Sequence, residues 1–243
     1  KGLWKGNLRP NITLITRQDF DLTDRESTDK WFKGKHFDVV IHTAIKGGSR
    51  LKPDNGDVFY ENLKMFYNLY YNKHCFDKFI HFGSGAELNT PSNPYGLSKK
   101  IINDLIKSEH GFFNIRIFGV FDENELDTRF IKSSILKYLN KTPITIHQDK
   151  YMDFYYMGDL INLVHEYVIG NPYTSLPKIS ECSYRKKYKL SDIASFINTL
   201  GNYKVPINIV DSAEGDSYTG TTVFNMITIG LEQGIINTYN KLK

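Results

Sequence analysis

Tyr95 and Lys99 stand four residues apart at the start of a segment with helical periodicity, so one helix face carries both. A free phenol titrates at about 10 and is a poor proton carrier at neutral pH. An ammonium one helical turn away stabilises the phenolate and is expected to draw that value down. Ser84 follows an apolar run eleven positions before Tyr95. A hydroxyl, a phenol and an ammonium converging on one oxygen suit proton transfer coupled to hydride transfer at a carbonyl carbon. The bland alternative for the Tyr–Lys pair alone is a packing ring beside a surface cation. The order strand, Ser, loop, Tyr, set among alternating strands and helices, favours the chemistry.

The elements that must position these groups are legible as patterns. Short, nearly continuous apolar runs at 12–16 (ITLIT), 38–43 (DVVIHT), 78–82 (KFIHF) and 114–118 (NIRIF) read as buried parallel strands. Helical periodicity lies between them at 24–32, with Asp24 as its cap, at 57–73 and at 95–109. This alternation predicts an α/β fold, a Rossmann-like doubly wound parallel sheet. Further on, helices are expected at 129–139, 159–169, 189–200 and 229–241, with short strands at 144–147 and 207–210. The reading is a dinucleotide-binding domain over 1–119, to which 148–170 returns. A smaller interleaved C-terminal α/β lobe for substrate would take 120–147 and 171–243.

Composition narrows the class. Of 243 residues, 40% are hydrophobic, enough for a core, which excludes a disordered chain. No apolar run approaches the roughly 18 residues of a membrane span. The 31 basic residues are interspersed with 27 acidic ones, which is no nucleic-acid footprint. Cys75 and Cys182 make no disulfide framework, which fits a cytoplasmic protein. The seven histidines match no zinc spacing, so no metal is expected. The basic run Arg185-Lys186-Lys187 reads as a solvated turn.

Several segments together resemble the extended short-chain dehydrogenase/reductases, the NAD-dependent epimerase/dehydratases that act on nucleotide sugars. FDLTD (20–24) resembles the family's turn that meets adenine, and DVVIHTA (38–44) its fourth strand, which touches the cofactor through the backbone. YENL (60–63) resembles the helix carrying an active-site Asn, here Asn62, and DFYYMGDL (153–160) the element that usually opens Arg-Asp-Phe. IGLEQGIINTYNKL resembles the closing helix. Thr16-Arg17 and Lys46-Gly47-Gly48 point within the family to GDP-L-fucose synthase-like 4-reductases. The resemblance implies Ser84, Tyr95, Lys99 and Asn62 as catalytic. It implies Arg17, Asp21, Leu22, Thr43, Ala44, Ile45, Phe118 and the Tyr95–Lys99 pair around NADP, with NAD as the alternative. A nucleotide-diphosphate sugar would lie against Gly85, Ala86, Gly119, Arg129 and Lys132. Arg17 as a 2′-phosphate grip competes with a solvent-facing Arg at a strand end, and Arg129 and Lys132 with a solvated helix face. The family also implies a homodimer through the helices at 57–73 and 95–109.

Departures narrow the reaction. Ala86 stands where epimerising members carry a Cys, and Gly85-Ala86 where dehydratases carry Asp-Glu; Glu87 falls one position late. Redox at one carbonyl survives: a 4-reductase, a 4-epimerase, or a non-catalytic nucleotide-binding relative. The dinucleotide fold also requires a mid-sheet first strand and a glycine-rich turn. Gly2 and Gly6 read either as the tail of that turn or as a helix end, and the expectation is that the strand precedes the sequence given.

Overall fold

Runs rich in Phe, Ile and Val become the sheet. The computed structural model describes residues 11–49, 52–170, 176–221 and 224–243. Its strands are β1 (Phe37–His42), β2 (Phe76–Ser84), β3 (Phe112–Ile117), β4 (Val120–Phe121), β5 (Ile144–Gln148), β6 (Tyr155–Tyr156), β7 (Ile179–Cys182) and β8 (Ile207–Asp211). The main sheet has the order β1-β2-β3-β7 and every pairing is parallel. The register sets His42 beside His81, Ser84 beside Ile117 and Ile117 beside Cys182. The strands therefore end together, and ligands of doubly wound folds bind outside such carboxyl ends. Two parallel pairs, β4–β6 and β5–β8, complete the strands described.

The helices are α1 (Arg25–Phe32), α2 (Gly56–Tyr71), α3 (Ala86–Asn89), α4 (Pro94–Ser108), α5 (Phe130–Leu139), α6 (Met157–Ile169), α7 (Leu190–Ile197) and α8 (Leu231–Leu242). Asp24 caps α1 by accepting the Glu26 N–H, as its sequence position predicts. One sheet face is covered by α1, α2 and α4 through Phe32, Phe66, Phe79, Ile102 and Ile106. The other is covered by α6 through Ile80, Ile115, Leu163 and Tyr167. Phe79 and Ile80, adjacent on β2, point to opposite cores, which is why this strand reads as continuously apolar. A third core of Ile131, Ile135, Ile193, Ile197 and Ile235 joins α5, α7 and α8. No described helix is long and apolar enough to cross a membrane.

Two expectations are corrected. Residues 12–16 form no strand: Ile12 and Leu14 are 71% and 81% exposed, and Thr16 instead closes a turn with Asp19. Alternating apolar residues make a strand only where a neighbouring ladder accepts their backbone. The described sheet is continuous and ends at a half-exposed β1, so no gap interrupts it. Residues 179–182, grouped with the second lobe by pattern, pair with β3 as a strand of the main sheet.

Candidate active site

Ser84 is the last residue of β2, buried where the strand turns into α3. The turn is held from inside. Glu87 folds back so that its carboxylate accepts the Ser84 N–H at 2.9 Å, while Ser84 Oγ accepts the Ala86 N–H at 3.2 Å. Tyr95 is set by the start of α4. Asn93 Oδ1 accepts the Tyr95 N–H at 2.8 Å and Pro94 takes the first helical position, where its missing N–H costs nothing. The Ser84 side chain lies close enough to the Tyr95 phenol to favour its ionised form. Gly48, at φ +72°, brings the loop after β1 against the same ring: a Cβ there would sit 2.8 Å from Tyr95 Cζ.

Lys99 follows one turn later, 2% exposed, donating to the Phe82 carbonyl at 2.7 Å. It also meets His81 Nε2 at 3.2 Å, and His81 Nδ1 lies 3.1 Å from His42 Nδ1. Burial lowers Lys99 from its ordinary 10.5 to about 8 and His42 to about 3, and takes His81 well below its usual range. A neutral His81 therefore accepts from the ammonium. The expected lowering of the Tyr95 phenol is corrected: burial pushes it up to about 12, opposed by Ser84 and reinforced by Tyr218, Glu87 and Asp54. The Lys99 ammonium does not offset this burial, because it is turned to His81 and the Phe82 carbonyl.

Of the other sequence candidates, Asn62 is buried as a tie. It accepts the Lys46 N–H at 2.8 Å, donates to the Lys46 carbonyl at 2.9 Å and to Ser98 Oγ at 3.2 Å, joining the post-β1 loop to α2 and α4. Thr43, Ala44 and Ile45 lie exposed where β1 ends. Leu22 is anchored by its carbonyl to Asn68, and Asp21 caps its own turn through Thr23. Arg17 is exposed on the turn after the missing strand, with its charge felt by Asp21. Gly85, Ala86 and Phe118 gather at Ser84; Gly85 must lack a side chain because a Cβ would strike Phe118 and Tyr218. Gly119 accepts the Tyr155 N–H beneath them. Arg129 and Lys132 stay with the loop before α5, where Arg129 faces Glu125 and Lys132 pairs with Asp127 at 2.8 Å. Gly2 and Gly6 lie outside the described residues.

Sequence reasoning missed the site's buried polar floor. Arg116 reaches Glu87 at 3.0 Å and Glu181 at 2.5 Å, all three buried. Glu87 is thus bound into a triad, and burial holds its carboxyl above the usual range. Lys187, from the run expected to be solvated, pairs with buried Asp153 at 2.6 Å. Tyr218, from the second lobe, brings its hydroxyl to 3.5 Å from Ser84 Oγ. The only sequence signal was a charge inside an apolar strand, Arg116 in NIRIF.

Parallel strands ending at a serine, with a tyrosine and a buried lysine on the next long helix, define a Rossmann-like dehydrogenase-type architecture. The NAD dependent epimerase/dehydratase family model matches residues 5–172, and the chain belongs to that family. A GDP-6-OMe-4-keto-L-xylo-heptose reductase from C. jejuni is similar in fold, with TM-score 0.72 at 16% identity over 96% of this chain and 90% of its own. A GDP-L-fucose synthetase from Naegleria fowleri gives 0.72 at 15% identity, over 93% and 83%. A UDP-glucuronic acid 4-epimerase from Bacillus cereus gives 0.70 at 19% identity, over 93% and 79%. No curated protein matches.

Proposed function

We propose that the chain reduces the 4-keto group of a nucleotide-diphosphate sugar with NADPH. The observation that carries this reading is the placement of Ser84 at the carboxyl end of β2 and Tyr95 at the start of α4, near enough for the serine to act on the phenol, with Lys99 buried one turn behind. A phenol titrating at about 12 is protonated at neutral pH, which suits a donor to an alkoxide being formed, the reducing direction. Ser84 orients the carbonyl oxygen, and the two preorganised hydroxyls stabilise the negative charge that develops there. An ammonium has three donors. Two of Lys99's face Phe82 and His81, leaving one for a ribose hydroxyl.

The residues present fit a nicotinamide cofactor. Thr43–Ile45 offer an exposed edge at the carboxyl end of β1, on the loop whose Gly48 packs against Tyr95, and Arg17 is the cation for a 2′-phosphate. When bound, the cofactor supplies the hydride. A GDP-mannoheptose C4 reductase of this fold, from Campylobacter jejuni, has NADP bound. Gly85-Ala86 at the position of dehydratase acids, with Glu87 consumed by Arg116, supports redox at one carbon without further proton abstraction.

The direct test screens the chain with NADPH against 4-keto GDP- and UDP-sugars while following nicotinamide absorbance. Stoichiometric consumption supports the reading. Interconversion at C4 without net consumption makes the chain a 4-epimerase, and absence of cofactor binding by calorimetry leaves a non-catalytic relative. The helix pair α2 and α4 is proposed as the dimer face.

A further inference from the structure

Residues 217–221 form a strap from the second lobe fastened across the site at five backbone points. The Ser217 carbonyl accepts from Asn89 at 3.0 Å, Tyr218 N–H donates to the Tyr151 carbonyl at 2.9 Å, and the Tyr218 carbonyl accepts the Asp153 N–H at 3.1 Å. Buried Asp153 accepts the Gly220 N–H at 2.8 Å, and buried Glu181 accepts the Thr221 N–H at 2.7 Å. Glu181 is the far end of the Arg116 triad whose near end, Glu87, holds the Ser84 N–H. One chain of buried charges thus fixes both the catalytic serine and the strap. Burying carboxylates is costly, so a loop secured this way is held to a defined position.

The strap delivers a single aromatic group. The Tyr218 ring meets Phe118 edge-on at 5.4 Å and fills the slot that Gly85 leaves: a Cβ there would stand 2.8 Å from Tyr218 Cζ. Its hydroxyl lies 3.5 Å from Ser84 Oγ, and its charge state is felt by the Tyr95 phenol. The ring is half-buried.

We propose that Tyr218, aimed at Ser84 by the Asp153 and Glu181 carboxylates, is the positioning residue for the sugar: its hydroxyl holds a sugar hydroxyl next to the reacting carbon and its ring limits the bulk accepted there. The inference rests on the nucleotide-sugar reading of the same site. Chemically, the sugar ring between Tyr95 and Tyr218 has one phenol for its reacting oxygen and one for its neighbour.

The test titrates the NADPH-loaded chain calorimetrically with GDP- and UDP-hexoses, with free GDP and UDP as controls. Tyr218→Ala is expected to weaken the sugar-linked nucleotides roughly tenfold and Tyr218→Phe several-fold, the range of one net hydrogen bond, with free nucleotides unchanged. Asp153→Asn, which loosens the strap outside the Arg116 triad, should reproduce the loss, and in the Tyr218→Ala background it should add little, since both act through one contact. In turnover, Tyr218→Phe should raise KM while kcat holds. Sugar-linked and free nucleotides binding Tyr218→Ala as they bind the parent overturn the inference, as do strictly additive losses with Asp153→Asn. Tyr95→Phe separates the two claims. If it abolishes turnover while Tyr218 variants behave as the parent, the inference falls and the reductase reading stands. If Tyr95→Phe turns over normally while Tyr218→Ala still loses sugar affinity selectively, the reductase reading falls and the positioning role stands.

Discussion

Two groups of residues make up the proposed site. The proposed carbonyl bank of Ser84, Tyr95 and Tyr218 is underlain by Glu87, Arg116, Glu181 and Asp153, buried and paired. The proposed cofactor bank, 12–23 and 43–49, is largely exposed and is tied through Asn68 to Leu22, through Asn62 and Glu61 to Lys46, and through Asp54 to Gly48. The contrast follows what each bank has to do. Groups that meet developing charge gain from fixed orientation. A segment that lies along a long ligand can take part of its order from that ligand.

Removing the proposed proton donor should give the largest effect. Tyr95→Phe is expected to cost about 10²–10⁴-fold in turnover in steady-state kinetics, with cofactor affinity by calorimetry nearly intact. Comparable cofactor and turnover losses would erase the distinction between banks. Arg116→Met strands Glu87 and Glu181 in the interior and should cost roughly 3–5 kcal/mol in urea unfolding, as for one partner removed from a buried pair. On the other bank, Asn62→Ala should cost less, about 1–3 kcal/mol, by leaving the Lys46 backbone unpaired. Asp24→Ala, at the exposed cap of α1, should cost least, with the smallest drop in urea midpoint of the three. A cap loss equal to the Arg116 loss would contradict the ranking.

Lys99 gives the comparison a pH signature. Its native value of about 8 lies below the ordinary 10.5, so between these pH values the unfolded chain binds more protons. The cost of burying the ammonium is fully present below pH 8 and is relieved as pH rises through that window, so stability gains there. Urea midpoints of the parent minus those of Lys99→Met should rise between pH 8 and 10.5. A flat difference would place the Lys99 ammonium in water.

How much of this was legible depended on whether a feature is local. The helix expected at 95–109, the Asp24 cap and the apolar runs of β1–β3 are written within a few residues, and each formed within one or two residues of its expected place. Residues 12–16 carried the same kind of run and formed no strand, because a strand needs a partner that its own sequence does not encode. The phenol shifts opposite to the expectation because Gly48, which packs on the Tyr95 ring, and Tyr218, which acts on its charge, are remote in sequence. The Glu87–Arg116–Glu181 triad spans three separate segments, so only Arg116 inside its strand hinted at it.

The most direct test of the central claim follows the label from NADPH deuterated at nicotinamide C4 into a 4-keto nucleotide sugar by mass spectrometry. The account predicts one deuterium at sugar C4 per cofactor oxidised with the parent chain, and almost none with Tyr95→Phe. Cofactor and sugar both bound with no label transferred, or transfer undiminished in Tyr95→Phe, would contradict it.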